Sequence, residues 1–370
     1  MLNSSFSNII LSWFRENGRD LPWRETKDPY AIWLSEIILQ QTRINQGWEY
    51  WERFMAQYPT VDALAAANED EVLKLWQGLG YYSRARNLHA AAQQIVAMGR
   101  FPDTLEGIKS LKGVGDYTAA AIGSFAFDLP AAVVDGNVYR VLARYFGIET
   151  PINTTQGKKE FATLAQSLLP DVDGSEKICP NEFDMDLSPV SAYNQGMMDF
   201  GAIQCTPQSP KCMLCPLAET CEALRTNRVE TLPVKEKTLK VKTRYLTYIY
   251  IRCKSATDGE PMVAIHRRGK GDIWQGLWEP FNASIHEEQS TASLAEIEKM
   301  LQLSSTDGLQ LMAQHVKHVL THRILLADFY LLETEERPQL PDDYIWIKES
   351  EIDNYGVPRL IEMLLLKRRY

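Results

Sequence analysis

The segment 111–118 has the sequence LKGVGDYT, in which Gly113 and Gly115 flank a single valine. Residues 119–123, which follow, are small and apolar and predict a helix. Glycines placed just before a helix allow the backbone to turn tightly and to direct free N–H groups toward an anion such as a phosphate. Considered alone, the pattern also fits a plain connection between two helices.

Asp135 follows Gly115 by twenty residues and precedes residues 138–144, whose pattern predicts a helix. An aspartate in this position is a good N-cap, and this structural role would by itself explain the residue. The helix dipole and the backbone donors also favour its ionised form, so we expect an anion at neutral pH. Glycosidic chemistry requires such an anion, because the sugar becomes cationic as its bond to the base breaks.

Glu36 is the only charged residue in residues 31–42, AIWLSEIILQQT, which have the apolar content of a buried helix. Burial would raise the pKa of its carboxyl and make it a proton donor near neutral pH. The alternative is a buried glutamate that is neutralised by an arginine such as Arg43 or Arg84. Together with an ionised Asp135, a protonated Glu36 would provide an acid and an electrostatic stabiliser.

Four cysteines have the spacing C-x6-C-x2-C-x5-C, namely Cys205, Cys212, Cys215 and Cys221. Structural zinc sites usually contain two C-x2-C pairs that are separated by a longer loop. One compact loop with a single close pair fits a cubane iron–sulfur cluster better, and we predict a [4Fe-4S] cofactor. Zinc and, less favoured, a disulfide remain alternatives on spacing alone.

These motifs and their order resemble the endonuclease III superfamily of DNA glycosylases and, within it, the MutY-type adenine DNA glycosylases. Besides the cysteine loop, the resemblance is carried by residues 34–42, 76–88, 113–115, 134–138 and 193–201. It implies an all-α helix-hairpin-helix glycosylase domain with an iron–sulfur loop, followed by an α+β Nudix-like domain. The implied activity is hydrolysis of the N-glycosidic bond of adenine mispaired with 8-oxoguanine or guanine. The implied partner is double-stranded DNA that contains such a mispair.

Tyr117 occupies the position at which the lyases of this superfamily carry a lysine that attacks the sugar. A phenol cannot form an imine, so we expect a monofunctional enzyme that uses water and leaves the abasic site uncleaved. The resemblance makes Glu36 the general acid and Asp135 the stabiliser of the sugar cation, with Tyr117 and Asn137 shaping the site. Two other readings are an endonuclease III-like glycosylase with lyase activity, and a non-catalytic iron–sulfur protein that binds DNA or senses redox state.

The resemblance also assigns residues to the binding of DNA and of the base. We expect the duplex to be contacted by Gln41, Thr42, Leu79, Tyr81, Gly113, Gly115, Thr321 and His322. We expect the adenine pocket to be lined by Leu21, Trp23, Arg24 and Asp199. In the family a Phe-Ser-His loop reads 8-oxoguanine, and the corresponding residues here are 320–322, Leu-Thr-His.

The length of 370 residues predicts two domains. We place the helical domain at 1–225, a polar and basic linker at 226–243, and the Nudix-like domain at 244–370. In the last, alternating patterns predict strands at 245–251, 262–265 and 323–331, and helices are predicted at 291–303 and 357–369. The predicted helix around Glu296 and Glu298 lacks the R-E-x-x-E-E cluster of a Nudix hydrolase, so we expect this domain to bind and not to hydrolyse.

The net charge of −9 is unusual for a protein that binds a duplex, so we expect the charges to be segregated. One face would use Arg84, Arg86, Lys112, Arg140 and Arg144, and another would carry Asp171, Asp173, Glu182, Asp184 and Asp186. No apolar run of about 18 residues and no targeting segment is evident in the sequence. We expect a monomer in the bacterial cytoplasm, without a membrane partner.

Overall fold

The computed structural model describes residues 2–170, 187–236, 241–254, 259–303 and 308–368. The acidic residues that were predicted to share one face, Asp171, Asp173, Glu182, Asp184 and Asp186, lie outside these ranges. The chain divides into two compact units. The helical unit comprises Met1–Ala66 and Ala90–Lys237, and the sheet unit comprises Ala67–His89 and Thr238–Tyr370.

Helices account for most of the described residues before the sheet. They are α1 (Leu2–Asn17), α2 (Pro29–Ile38), α3 (Ile44–Gln57), α4 (Val61–Ala66), α5 (Glu69–Leu75), α6 (Ser83–Met98), α7 (Leu105–Lys109), α8 (Asp116–Phe127), α9 (Gly136–Phe146), α10 (Thr155–Ser167), α11 (Pro189–Asp199) and α12 (Glu222–Arg225). Polar side chains cap several N-termini by accepting a backbone amide, among them Asp28, Thr104, Asp135 and Ser188. The helices predicted after the glycine pair and after Asp135 are confirmed as α8 and α9.

A large core of the helical unit forms where α1, α9, α10 and α11 pack together. It contains Phe14, Leu142 and Phe161, all completely buried. Leu232, within the predicted linker, also belongs to this core, and the backbone N–H of Ile152 donates to the carbonyl of Val234 at 3.0 Å. Residues 226–236 are therefore packed rather than free, because their apolar side chains find a place in the core.

The C-terminal part of the sheet unit contains one mixed sheet. Its strands are β1 (Lys242–Cys253), β2 (Met262–Arg267), β3 (Trp278–Glu279), β4 (Phe281–Asn282), β5 (Leu309–Val319), β6 (Arg323–Thr334) and β7 (Tyr344–Lys348). The strand order is β3-β2-β1-β6-β5, while β4 pairs with β1 and β7 pairs with β2. Only β1 and β6 pair in parallel among these described strands, in a register that runs from Lys242 opposite Arg323 to Cys253 opposite Thr334.

Two helices, α13 (Leu294–Leu301) and α14 (Arg359–Arg368), cover the sheet. Ile249 and Ile251 of β1 pack in the same cluster as α13, whereas Leu246 and Tyr248 pack with α14. Successive side chains of a strand point to opposite faces, so the two helices lie on opposite sides of β1. These observations confirm the α+β pattern that was predicted for this part. No helix of the described residues is long and apolar enough to cross a membrane.

The segment Ala67–His89 groups with the sheet unit, although the predicted domain boundary placed it with the helical domain. The segment contains α5 and the first residues of α6. Its sequence is helical and gives no indication of this grouping, since its partners in these contacts, such as Arg267 and Gln275, lie about 200 positions farther along the chain.

Candidate functional site

A cavity of about 610 Å³ opens within the helical unit. It is bordered by α2, the N-terminal parts of α8 and α9, one side of α11 and the loop before α2. The predicted residues that line it are Leu21, Trp23, Arg24, Glu36, Thr42, Tyr117, Asp135 and Asn137. The fold thus brings together residues that are separated by more than 100 positions in the sequence.

Glu36 lies within α2 and is only 4% exposed. The hydroxyl of Tyr117 donates a hydrogen bond to its Oε2 atom at 2.6 Å. Burial and, to a smaller extent, the nearby Asp135 carboxylate raise the pKa of Glu36 to about 7, although the Tyr117 hydrogen bond lowers it. Within the described residues Glu36 forms no ion pair, so neutralisation by Arg43 or Arg84 is not what this structure shows.

Asp135 is the N-cap of α9, as the sequence predicted. Its Oδ1 accepts from the backbone N–H of Val138 at 2.8 Å, and its Oδ2 accepts from Nδ2 of Asn137 at 2.7 Å. Burial nevertheless raises the pKa of Asp135 above its ordinary value, because it outweighs the lowering by these donors. Two opposing effects thus act on this carboxyl: burial favours its neutral form, and the N-cap donors favour its ionised form.

Arg140 connects the candidate catalytic aspartate to the cysteine loop. Its Nη2 donates to Oδ1 of Asn137 at 2.8 Å and to the carbonyl of Gly201 at 2.6 Å, while its Nε donates to the carbonyl of Cys205 at 2.8 Å. Residue 201 must be small here, since an added Cβ would lie 2.6 Å from that of Asn137. Asn137 is thus held on one side by Asp135 and on the other by Arg140.

Two of the arginines that were predicted to form a DNA-binding face are buried instead. Arg140 is 8% exposed and Arg144 is 3% exposed. Arg144 donates to the carbonyls of Thr206, Pro207 and Leu232, at 2.7, 3.1 and 3.2 Å. The prediction was wrong for this pair because α9 turns both side chains toward the loop backbone and not toward solvent.

The four predicted cluster ligands are all free thiols that are partly exposed in one loop. The backbone N–H of Leu217 hydrogen-bonds to the sulfur of Cys215, and those of Leu224 and Ala223 hydrogen-bond to the sulfur of Cys221. Nη1 of Arg144 lies 3.4 Å from the sulfur of Cys205. Four thiols with N–H donors around them fit an iron–sulfur cluster.

Asp199 was predicted to line the adenine pocket, but it is completely buried and is absent from the cavity wall. Its carboxylate accepts from Arg24 at 2.8 Å through two nitrogens, and Arg19 contributes both its guanidinium and its backbone N–H. Burial by itself would raise the pKa of Asp199, but Arg24 and Arg19 lower it to about 2. Asp199 therefore orients two arginines that line the cavity, which corrects its predicted contact with the base.

Gln195 lines the cavity and was missed by the sequence reasoning. Its side chain is buried, its Nε2 donates to the hydroxyl of Ser191 at 3.1 Å, and its Oε1 has no hydrogen-bond partner among the described residues. Buried acceptors without a partner are rare in proteins. The available signal was the spacing, because Gln195 and Asp199 lie one helical turn apart on the same side of α11.

The residues that were predicted to contact the duplex fall into two groups. Gly113, with φ 78°, and Gly115, the N-cap of α8, are exposed, as are Gln41, Tyr81, Thr321 and His322. Gln41 and Tyr81 have φ of 59° and 46°, a backbone region that side chains rarely adopt and that often marks functional positions. Leu79, however, is buried, so its side chain offers no surface to a duplex in this conformation.

Three protein families match different parts of the chain. Residues 34–170 match the HhH-GPD superfamily of base excision DNA repair proteins, and residues 251–367 match the NUDIX domain. Residues 205–221 match the iron-sulfur binding domain of endonuclease III, which confirms the predicted [4Fe-4S] cofactor.

Curated relatives extend the similarity along the chain. The adenine DNA glycosylase of Buchnera aphidicola subsp. Acyrthosiphon pisum (strain APS) is 31% identical over 97% of this chain and 96% of its own length. The adenine DNA glycosylase of Mus musculus is also 31% identical, over 96% of this chain and 76% of its own. A solved structure of a thermostable thymine-DNA glycosylase is 31% identical with a TM-score of 0.52, over 60% of this chain and 97% of its own.

Proposed function

The chain belongs to the adenine DNA glycosylase family, whose members hydrolyse N-glycosyl bonds in base excision repair, and we propose that it removes adenine mispaired with 8-oxoguanine or guanine. The observation that supports the chemistry is the pair Glu36 and Asp135, which line one cavity in different hydrogen-bonding environments. A carboxyl with a pKa near 7 can act as an acid at neutral pH.

In the proposed reaction Glu36 donates its proton to N7 of adenine. The bond between the base nitrogen and the sugar carbon then breaks, its electron pair leaves with the neutral base, and the sugar becomes an oxocarbenium-like cation. Asp135, oriented by Val138 and Asn137, stabilises that positive charge. Water adds to the sugar carbon, and its proton returns to Glu36, so that acid and stabiliser end in their initial states.

We further propose that the enzyme is monofunctional. Tyr117 is committed to Glu36 through its hydroxyl, and a phenol cannot form the imine on which a lyase depends. No lysine lines the cavity among the described residues. The endonuclease III-like alternative would require an amine in this cavity, and the non-catalytic alternative would leave the buried pair Glu36 and Asp135 without a role.

Adenine recognition is assigned to Gln195 and Trp23. The unpartnered Oε1 of Gln195 is an acceptor that suits the exocyclic amine of adenine, whereas guanine would present a carbonyl in the equivalent position. Trp23, held edge-to-face between Trp48 and Trp51 at 5.9 Å each, offers an apolar surface for the flipped base. A base that leaves this buried acceptor without a hydrogen-bond donor would bind much more weakly than adenine, so Gln195 can discriminate between bases.

The [4Fe-4S] cluster would be held by the thiolates of Cys205, Cys212, Cys215 and Cys221, and we assign it a structural role. When bound, it cross-links the loop 205–221, whose backbone Arg140 and Arg144 already hold. Lys211, in the same loop, is exposed and available to a phosphate. Arg140 thus connects the loop to Asn137, and the role assigned to the cluster is to hold the loop and not to take part in the reaction.

Lesion reading is assigned to the sheet unit, where Thr321 and His322 are exposed in the turn between β5 and β6. Nucleotide hydrolysis by this unit is not expected, since Glu296 forms a capping box with Ser293 at the start of α13 and also contacts His286. We place the protein in the bacterial cytoplasm as a monomer that acts on double-stranded DNA.

The test of this function is single-turnover excision of adenine from duplexes with A:8-oxoguanine or A:G. Glu36→Gln keeps the shape of the side chain and removes its acidic proton, so excision should fall by at least about a hundredfold while duplex binding persists. Glu25→Gln, at an exposed glutamate outside the cavity, is the matched control. Near-normal excision by the Glu36 variant would remove this residue from the acid role.

A further inference from the structure

The turn that carries Tyr81 has an unusual backbone. Gly78, Gly80 and Tyr81 have φ of 101°, 72° and 46°, so three of four consecutive residues lie in the left-handed region. Tyr81 is 46% exposed, and its conformation is unfavourable for a residue with a side chain. Such a conformation persists only where the surroundings determine it, which raises the question of what holds this turn.

Part of the support is local. The indole N–H of Trp76 donates to the carbonyl of Gly80 at 3.0 Å. The guanidinium of Arg84 stacks on the Trp76 ring at 4.9 Å and donates to the carbonyls of Leu79 and Gly80, at 3.4 and 3.3 Å. The latter two contacts are long for charged hydrogen bonds. Two backbone hydrogen bonds also close the turn, from Leu79 N–H to the carbonyl of Trp76 at 3.1 Å and from Arg84 N–H to the carbonyl of Tyr81 at 2.9 Å.

The remaining support comes from C-terminal residues of the same sheet unit. Nη2 of Arg267 contacts Glu69 at 2.8 Å and Asp70 at 2.9 Å, at the N-terminus of α5. Arg86, just after the turn, donates to the carbonyl of Gln275 at 2.5 Å. The contacts therefore fix the chain on both sides of the turn.

Two more contacts hold the end of α5. Nζ of Lys74 donates to the carbonyl of Tyr355 at 3.3 Å, and Oε1 of Gln77 accepts from the backbone N–H of Val357 at 3.3 Å. At the turn itself, the hydroxyls of Tyr81 and Thr321 are hydrogen-bonded to each other. Burial lowers the pKa of Lys74, which agrees with its enclosure in this contact.

Two glycines allow the loops of the sheet unit to approach α5 closely. A Cβ at Gly276, which has φ 82°, would lie 3.2 Å from Cδ1 of Leu73. A Cβ at Gly356 would lie 3.4 Å from the backbone nitrogen of Lys74. The loops at Gly276 and Gly356 therefore pack closely against α5, in addition to the ion pairs and hydrogen bonds made by long side chains.

We propose that residues 267–277 and 355–357 position the turn at 78–81 for entry into the duplex, so that they support adenine excision opposite guanine and 8-oxoguanine alike. This inference rests on the proposed function of the helical unit. The contacts made by residues 267–277 and 355–357 reach α5 and the residues that flank the turn, and they carry no information about the base opposite adenine; the Tyr81–Thr321 contact is separate from them. Arg267, Gln275 and Val357 are therefore positioning residues, whereas Thr321 and His322 are assigned to lesion preference.

Charge reversal at Arg267 tests this proposal in the full-length protein. Arg267→Glu replaces two attractive contacts with repulsion from Glu69 and Asp70. The matched control is Arg252→Glu, because Arg252 also pairs with two carboxylates of the sheet unit, Glu333 at 2.8 Å and Glu349 at 2.9 Å, and among the described residues its ion pairs are with these two and not with residues 67–89. The rescue variant adds Glu69→Lys and Asp70→Lys to Arg267→Glu and restores the opposite charges in swapped positions.

Two measurements are made on all variants: hydrogen exchange of the backbone amides at 76–84, and single-turnover excision from A:G and A:8-oxoguanine duplexes. For Arg267→Glu we expect faster exchange at 76–84 and a loss on the order of tenfold in the single-turnover rate of excision on both duplexes, with partial recovery in the rescue variant. The Arg252 variant should match the unmodified protein in both.

Unchanged exchange at 76–84 in Arg267→Glu would overturn the proposal, as would a loss that is confined to the 8-oxoguanine duplex. Failure of the rescue variant to recover protection would also count against it, since the charges themselves would then not be responsible. If the unmodified protein excised no adenine, the proposed function would fail. The exchange measurement would still report on the positioning contact, because it does not depend on activity.

Discussion

Replacing Tyr117 with phenylalanine should move the alkaline limb of the pH–rate profile upward. In the structure the Tyr117 hydroxyl donates to Oε2 of Glu36, and this bond lowers a pKa that burial raises to about 7. Removing the hydroxyl leaves the burial and takes away a donor that stabilises the carboxylate. The protonated, acidic form of Glu36 should therefore persist to higher pH in Tyr117→Phe.

The size of the shift follows from the strength of the hydrogen bond. Bonds to charged groups contribute about 1.5–3 kcal/mol, and one pKa unit corresponds to about 1.4 kcal/mol, so a shift of about one unit is a modest expectation. With a pKa of about 7, roughly one-tenth of Glu36 is protonated at pH 8. With a pKa of about 8, roughly half is protonated, so activity at pH 8 relative to its own plateau should rise about fivefold.

The assay is kcat/KM for adenine excision between pH 5 and 9, which reports groups of the free enzyme. Tyr139→Phe is the control, because it removes a phenol from α9 that does not line the cavity. An alkaline limb that stays in place, or that moves to lower pH in Tyr117→Phe, would refute the assignment of that limb to Glu36. The absolute rate is not part of the test, since Tyr117 also shapes the cavity.

Three other predictions concern separate parts of the protein. Asp199→Asn should lower the stability of the helical unit by about 3 kcal/mol, seen as a lower urea midpoint, because Arg19 and Arg24 lose a buried counterion; an unchanged midpoint would contradict this. Borohydride should trap no adduct between the unmodified enzyme and DNA, whereas Tyr117→Lys should gain trapping; efficient trapping by the unmodified enzyme would favour the lyase alternative. Thr321→Ala should reduce the preference for 8-oxoguanine over guanine by about tenfold to a hundredfold, and equal preference in both proteins would place lesion reading elsewhere.

The structural features that depend on short sequence motifs were predicted correctly. The cysteine spacing, the glycine pair before α8 and the cap at Asp135 depend on residues within one loop or one helical turn. Burial of Glu36 also follows from its neighbours in α2, since all the residues around it are apolar or uncharged. In each case short-range geometry fixes both the conformation and the chemical group, so the sequence pattern is sufficient.

Other features depend on contacts between distant residues, and the sequence pattern could not decide them. Gln195 and Asp199 share one side of α11. Asp199 pairs with Arg19 and Arg24, about 180 positions away, whereas Oε1 of Gln195 has no hydrogen-bond partner among the described residues. Arg140 looks like a surface cation in the sequence and is buried because the loop backbone supplies acceptors for it.

The same limit applies to the segment Ala67–His89, which follows the helical domain in sequence and groups with the sheet unit in space. The sequence by itself determined the family, the helical and sheet-containing parts and the iron–sulfur cofactor, and it singled out the candidate cluster ligands and the candidate carboxylates, because these features depend on residue type and short spacing. Only the tertiary structure decided which polar group faces the cavity, which arginines are buried and what holds the turn at Tyr81. Those outcomes depend on which partner a charged or polar group finds when distant segments pack, and burial makes that partner energetically decisive.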